Sequence, residues 1–316
     1  MKLFLSTLVT VFALGAGNVS LAATPLLTAP ELNGLLADPA VRVIDIRPAE
    51  AYQTNHIPGA LSAPYGQWRG PATNPGQLPP LSKLTTLVQG LGLSEGSHAV
   101  VVSSGADSSD FGGSARVYWT LKYLGLTNLS ILNGGVKAWA DAQLPQDQNA
   151  VKVASSAYTP TLNDALIATR DHVAKQIDNP QTRLIDARPA NFFLGEVRAP
   201  AAKISGTIHN AINLENSKWF KPGTSIFVSP EEAKKIAERA VPTPAKETIS
   251  FCNTGHWAAT DWFALSEIVG QKNVKLYPAS MVDWTQAPKA LPMDNVPGRG
   301  QQIIKDVKDL VGKLSS

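Results

Sequence analysis

No disulfide can close within this chain, because its 316 residues contain a single cysteine, Cys252. A fold without cross-links must be held by buried apolar surface, and a chain of this length divides comfortably into two domains that each bury a core. Long hydrophobic runs are also missing. Beyond the N-terminus nothing approaches about 18 consecutive apolar residues, so no membrane span is expected. Charge of one sign is scarce: 28 Lys and Arg stand against 25 Asp and Glu, a net +3, which offers no basic surface of the kind nucleic acid selects. With 44% hydrophobic and 17% charged residues, the composition is that of a globular protein rather than a disordered one.

What is there begins with "MKLFLSTLVTVFALGAGNVSLAAT". Lys2 gives a positive start, Leu3 to Leu14 an apolar run too short to span a bilayer, and Ser20-Leu21-Ala22 a small-x-small end. A secretory signal peptide over residues 1–22 is expected, cut after Ala22 or Ala23. Export means the periplasm if the source is a Gram-negative bacterium, and secretion otherwise. An unpaired thiol in an exported protein then needs a reason.

The chain repeats itself. "TAPELNGLLADPAVRVIDIRPAEAY" (Thr28 to Tyr52) and "TRDHVAKQIDNPQTRLIDARPANFF" (Thr169 to Phe193) align without gaps at an offset of 141. Each copy opens on a Thr placed as an N-cap, runs through a short helix with apolar residues at helical spacing, and reaches a β-rich run ending in Asp-x-Arg-Pro. "SPEEAKKIAERA" (229–240) carries a capping-box pattern, Ser229 to Glu232, with Pro230 at the first helical position. Strands and helices alternate in both halves, which predicts two α/β domains with mostly parallel sheets flanked by helices. The expected division is an N-terminal domain over 23–145, a polar linker over 146–162, a C-terminal domain over 163–293 and a tail over 294–316. Ile303, Ile304, Val307, Leu310, Val311 and Leu314 line one side of a helix in that tail.

The cysteine stands in "ISFCNTGHWAAT" (249–260), between a strand and a helix. In an α/β sheet the carboxyl end of a strand, followed by a helix N-terminus, is where ligands bind, and its unpaired amides cradle anions. A thiolate there is stabilised and nucleophilic. Gly255 suits a tightly curled loop, Asn253 and Thr254 offer side-chain hydrogen bonds, His256 a charge or proton, and Trp257 a wall. Each residue also has a plainer reading: Cys252 as apolar filler, His256 as a solvated loop residue, Trp257 as packing. The first copy favours function for the thiol, since its matching strand end, "VVVSSGAD", offers Ser103 and Ser104 and no cysteine.

Together with "VIDIRPAEAYQTNHIPGA", "VVVSSGADSSDFGGSARVYWTLKYLG" and "ILNGGVKAW", this loop resembles the tandem-domain rhodaneses, which include thiosulfate and 3-mercaptopyruvate sulfurtransferases. The resemblance covers nearly all of the chain beyond the signal peptide. It implies two rhodanese-like domains, the first non-catalytic, and a catalytic Cys252 that takes a sulfane sulfur as a persulfide. The loop Asn253, Thr254, Gly255, His256 and Trp257 would bind the substrate. The sulfur would pass to cyanide or a thiol, with a protein as a further potential acceptor, and no metal or organic cofactor is implied. Two departures bear on the donor. Neutral Asn253 and Thr254 lean towards the mercaptopyruvate-type loop, yet the family's substrate-binding Arg falls on Phe192. Arg198 stands near enough in sequence to replace it, whereas Arg188, the Asp-x-Arg arginine, reads as structural and paired with Asp186. "YDGS" of the family is "YPAS" here, Tyr277 to Ser280.

Other readings remain open at this level. A Cys-x5-Arg phosphatase or arsenate reductase needs an Arg to clamp its oxyanion, and six places after Cys252 stands Ala258. A non-catalytic rhodanese-like module that carries sulfur or binds a partner in an exported redox pathway would load once and stop. A thiol used for an intermolecular disulfide would give a dimer on non-reducing gels.

Overall fold

The computed structural model describes residues 23–243 and 245–298. The expected signal peptide and the amphipathic helix of the tail lie outside the described residues. In the first half, strands β1 (Leu26–Leu27), β2 (Val41–Asp45), β3 (Leu61–Ser62), β4 (His98–Val102) and β5 (Leu129–Leu132) alternate with helices. These are α1 (Ala29–Leu35), α2 (Ala49–Thr54), α3 (Leu81–Gly90), α4 (Ser108–Tyr123) and α5 (Gly135–Asp141). The strands form one parallel sheet in the order β1-β5-β4-β2-β3. Ala99 to Val102 of the central β4 are all buried, the continuous apolar run expected of a strand covered on both faces.

The second half repeats this plan. Strands β6 (Thr182–Asp186), β7 (Thr207–Ile208), β8 (Ile212–Asn213), β9 (Glu247–Phe251), β10 (Val274–Leu276) and β11 (Met293–Asp294) are accompanied by α6 (Arg170–Gln176), α7 (Ala190–Phe193), α8 (Pro230–Ala240), α9 (Trp257–Phe263) and α10 (Ser280–Thr285). Its parallel sheet runs β10-β9-β6-β8, with β7 and β11 paired antiparallel beside it. Asp294, assigned from sequence to the tail, therefore belongs to a strand edge, held by His209 Nδ1 at 2.8 Å and the Asn210 amide at 2.9 Å.

Local chemistry starts the helices where the sequence places them. The Thr28 side chain accepts from the Glu31 amide while Glu31 bonds back to Thr28, a full capping box, and Thr169 Oγ1 accepts from the His172 amide. Ser229 caps α8 with Pro230 in its first turn. The Asp-x-Arg of each copy closes on itself: Arg47 pairs with Asp45 at 2.7 Å and Arg188 with Asp186 at 2.6 Å.

Between the halves, residues 146–162 hold no helix or strand, yet they are tied down. The Ser156 amide donates to Gln89 O at 2.9 Å, and the buried Tyr158 hydroxyl to Leu124 O at 2.8 Å. The two sheets share one core at the α4–α9 seam. Phe111 of α4 packs against Phe220, Phe227 and Phe263, with ring centroids 5.2 to 5.6 Å away. The Tyr118 hydroxyl and Lys122 Nζ both reach Glu267 Oε2, at 2.8 and 2.5 Å. Each fully buried Phe contributes roughly 1.5–3 kcal/mol over an exposed one, so this seam is apolar cohesion first and polar pairing second.

Candidate active site

β9 delivers Cys252 to the carboxyl end of the second sheet, five residues before α9 begins at Trp257. The thiol is 1% exposed, so it sits inside the mouth rather than at its rim. Its main chain is fixed on both sides. The Cys252 amide donates to Ser280 Oγ at 3.0 Å, while Cys252 O and Asn253 O accept from the Met281 and Val282 amides at 3.0 and 3.1 Å. Ser280 does this from a left-handed backbone, φ +54, where glycine is normally preferred. Gly255 needs the same region, φ +68, and a Cβ there would lie 2.3 Å from Pro278 O and 2.5 Å from Arg116 Nη1.

Within this frame the amides of Asn253, Thr254, Gly255 and His256 have no acceptor among the described residues. The corresponding loop of the first copy, Ser103 to Asp107, differs at this point. There the Gly105 amide donates to Asp110 Oδ2 at 2.6 Å, so a carboxylate of the chain itself occupies the place of an anion. The Gly105 amide of the first copy thus has an acceptor within the chain, whereas the four amides after Cys252 have none among the described residues.

The N-terminal domain closes over the second loop. His256 Nε2 lies 2.7 Å from Ser109 O, a carbonyl that can only accept, so Nε2 carries the proton. Nδ1 of the neutral ring must then accept, from the Tyr65 hydroxyl at 3.0 Å, and Tyr65 in turn accepts from Arg69 Nη1 at 3.0 Å. Burial, reinforced by repulsion from Arg69, lowers the His256 pKa to about 4, so the ring is neutral and is neither a cation nor a solvated loop side chain. The Tyr65 hydroxyl is raised by burial and stays protonated. Trp257 Nε1 donates to Ser109 Oγ at 2.8 Å, and its ring meets Phe192 edge-on at 5.9 Å. That contact walls the loop on the side where the family's arginine would stand.

The two arginines singled out from sequence separate here. Arg188 is buried, paired with Asp186, donating to Gly206 O at 2.7 Å and touching the loop through Asn253 Oδ1 at 3.3 Å. Arg47 makes the same carboxylate pair in the copy that has no cysteine, which marks the pair as scaffold. Arg198 donates to Ala202 O and Lys203 O at 3.2 and 3.1 Å, contacts that hold its own loop rather than the cysteine loop. The cations that do surround the site come from the first domain and were not singled out. Arg69 is half-buried over the Tyr65 ring, 5.1 Å from its centroid. Arg116 is fully buried on α4. Nothing in their local sequence marks them; only the folded seam does. A cleft of ≈ 810 Å³ opens nearby, between Ser108 at the start of α4 and Lys218, Lys221 and Arg239, but no cysteine-loop residue lines it.

Comparison with known proteins bears on the family and the fold. The rhodanese-like domain model matches twice, over residues 28–142 and 169–287. A thiosulfate sulfurtransferase of Azotobacter vinelandii is 28% identical over 84% of this chain and 96% of its own length. The thiosulfate sulfurtransferase of Pseudomonas aeruginosa is 30% identical over 84% and 95%. Among solved structures, the 3-mercaptopyruvate sulfotransferase SseA of Escherichia coli superposes with a TM-score of 0.70 at 24% identity, covering 82% of this chain and 99% of that one. The anaerobic ergothioneine biosynthesis enzyme of Chlorobium limicola gives 0.75 at 20% identity, over 87% and 71%. Both likenesses are of fold. A duplicated α/β domain, with its one thiol at a strand end and the matching loop of the first copy filled by its own carboxylate, belongs to the rhodanese-like family.

Proposed function

We propose that this protein is a sulfurtransferase that moves a sulfane sulfur from a small anionic donor, thiosulfate or 3-mercaptopyruvate, to a thiophilic acceptor through Cys252. The observation that carries the reading is the set of loop amides around the chain's one thiol that have no acceptor among the described residues, set against the first copy's loop, where Asp110 satisfies Gly105. The names of the curated relatives support the reaction class. With thiosulfate, the Cys252 thiolate attacks the outer sulfur; a new S–S bond forms as the donor's S–S bond breaks, and sulfite leaves with the electron pair. The persulfide's terminal sulfur is then taken by cyanide or a thiol, which returns the thiolate. Amides aimed at the sulfur anion stabilise charge in both halves of the cycle. Arg69, half-buried at the domain boundary with no carboxylate partner among the described residues, supplies the cation for the donor that Phe192 lacks. A protein thiol as acceptor and export by residues 1–22 belong to the same proposal; the N-terminal mass of protein recovered from cells tests the second.

The decisive experiment is intact mass of the reduced protein before and after thiosulfate and, separately, 3-mercaptopyruvate, followed by cyanide. A gain of one sulfur, removed by cyanide and absent in Cys252→Ser, is expected, with repeated turnover. One round of loading without turnover would mark a sulfur carrier instead. No gain from either donor would end the reading.

A further inference from the structure

Arg116 is an expensive residue to explain by packing alone. Its side chain is completely buried on α4, and among the described residues its guanidinium has no carboxylate partner and its Nε no hydrogen-bond partner. Burying a cation in this way is strongly unfavourable unless something in the neighbourhood answers its charge. Its Nη2 donates to Gly76 O at 2.8 Å, within the first domain. Its Nη1 crosses to the second domain, 3.3 Å from Gly255 O and 3.5 Å from Thr254 O. The groups facing it are Tyr65, Arg69 and Cys252; Arg69 repels it, the Tyr65 hydroxyl stays protonated, and Cys252 as a thiolate is the one that answers its charge.

The contacts with Thr254 and Gly255 have a geometric consequence. All peptide bonds described are trans, so in each unit the N–H points opposite to the C=O. Drawing the carbonyls of Thr254 and Gly255 onto Arg116 turns the amides of Gly255 and His256 away from it. Those are two of the donors left without an acceptor. Gly255 is also the residue whose Cβ would collide with Nη1, so loop and guanidinium fit one another closely.

We propose that Arg116, supplied by the non-catalytic domain, is the positioning residue of the anion cradle: it orients the Gly255 and His256 amides towards the sulfur and provides the buried counter-charge for the anion they hold. This rests on the sulfurtransferase reading for what the anion is, but anion binding can be measured without turnover.

The test uses the full-length protein carrying Cys252→Ser, so that no sulfur moves, and thiosulfate as the probe in titration calorimetry. Adding Arg116→Met is expected to weaken thiosulfate binding at least tenfold, while Arg116→Lys, which keeps the charge and a donor nitrogen, restores it to within threefold. A merely structural role would leave the two variants equally impaired. Far-UV circular dichroism and a cooperative melt qualify each protein as folded, and Arg116→Gln replaces the Met variant if that fails to fold. Unchanged affinity in folded Arg116→Met or Arg116→Gln, no recovery with Arg116→Lys, or no thiosulfate binding by Cys252→Ser itself would each overturn the proposal. If binding depends on Arg116 while the Cys252 protein gains no sulfur in the mass experiment, the cradle stands and the sulfur-transfer reading fails.

Discussion

The Tyr65 hydroxyl and His256 Nδ1 meet at 3.0 Å across the boundary between the two domains, and the direction of that bond is set by the Ser109 carbonyl on the other side of the ring. The imidazole is therefore held neutral, with its folded pKa lowered from 6.5 to about 4. Between those values the unfolded chain binds a proton that the folded chain refuses, so stability falls as pH drops from 6.5 towards 4 and is unaffected by this group above that window. The slope is at most about 1.4 kcal/mol per pH unit. Urea midpoints of the unmodified protein and of His256→Gln, measured from pH 7 downwards, should diverge at neutral pH and converge in acid. Parallel curves would contradict the assignment.

Gly255→Ala should damage both fold and chemistry. The left-handed backbone alone costs about 1–3 kcal/mol for a residue with a Cβ, and here the new methyl would lie 2.3 Å from Pro278 O. Sulfur transfer is expected to drop more than tenfold. Gly59→Ala is the control, since Gly59 has φ +79 but open space around it. It should show the stability loss with transfer preserved, as read by a melt and a cyanide assay on the same samples.

Removing one partner of a buried ion pair leaves the other uncompensated. Arg188→Met should lower stability by about 3–5 kcal/mol, because among the described residues Asp186 keeps only the Thr207 hydroxyl and the main-chain amide of residue 188 as donors, and Arg47→Met should cost a similar amount in the first copy. Denaturant titrations of both variants check this. A loss under about 1 kcal/mol at Arg188 would mean that the pair is not the scaffold it resembles.

Arg69→Ala is expected to act on substrate capture rather than on the fold. A charge-assisted contact to an anion is worth about 1.5–3 kcal/mol, so KM for thiosulfate should rise by about tenfold or more with kcat changed far less. Initial rates across a donor series decide it, and an unchanged KM would remove Arg69 from the site.

The repeat, the alternating α/β order, the N-caps at Thr28 and Thr169 and the strand-end position of Cys252 could all be read in advance, because each is a local pattern that the chain states twice. The other half of the site could not. Tyr65, Ser109 and Arg116 meet their partners across 191, 147 and 139 residues of chain, and no spacing rule joins them. Arg198 shows the converse error: nearness in sequence suggested it as a replacement for the arginine missing at Phe192, but its loop turns it back onto the Ala202 and Lys203 carbonyls.

Asp110 bears on what the first copy could become. Its carboxylate already sits on the Gly105 amide, and the main chain around it is packed so closely that a Cβ on Gly105 would lie on Gly134 O and one on Gly135 would stand 2.4 Å from Ser103 O. The second copy has Ser280 in the left-handed place that Gly135 fills in the first, and Ser280 carries the hydroxyl that holds the cysteine amide. A thiol grafted at Ser103 would thus arrive in a loop where a carboxylate already competes for the amides, with no room for the side chain that steadies it. Engineering a second reactive centre into this protein is a problem of rebuilding backbone, not of exchanging one side chain.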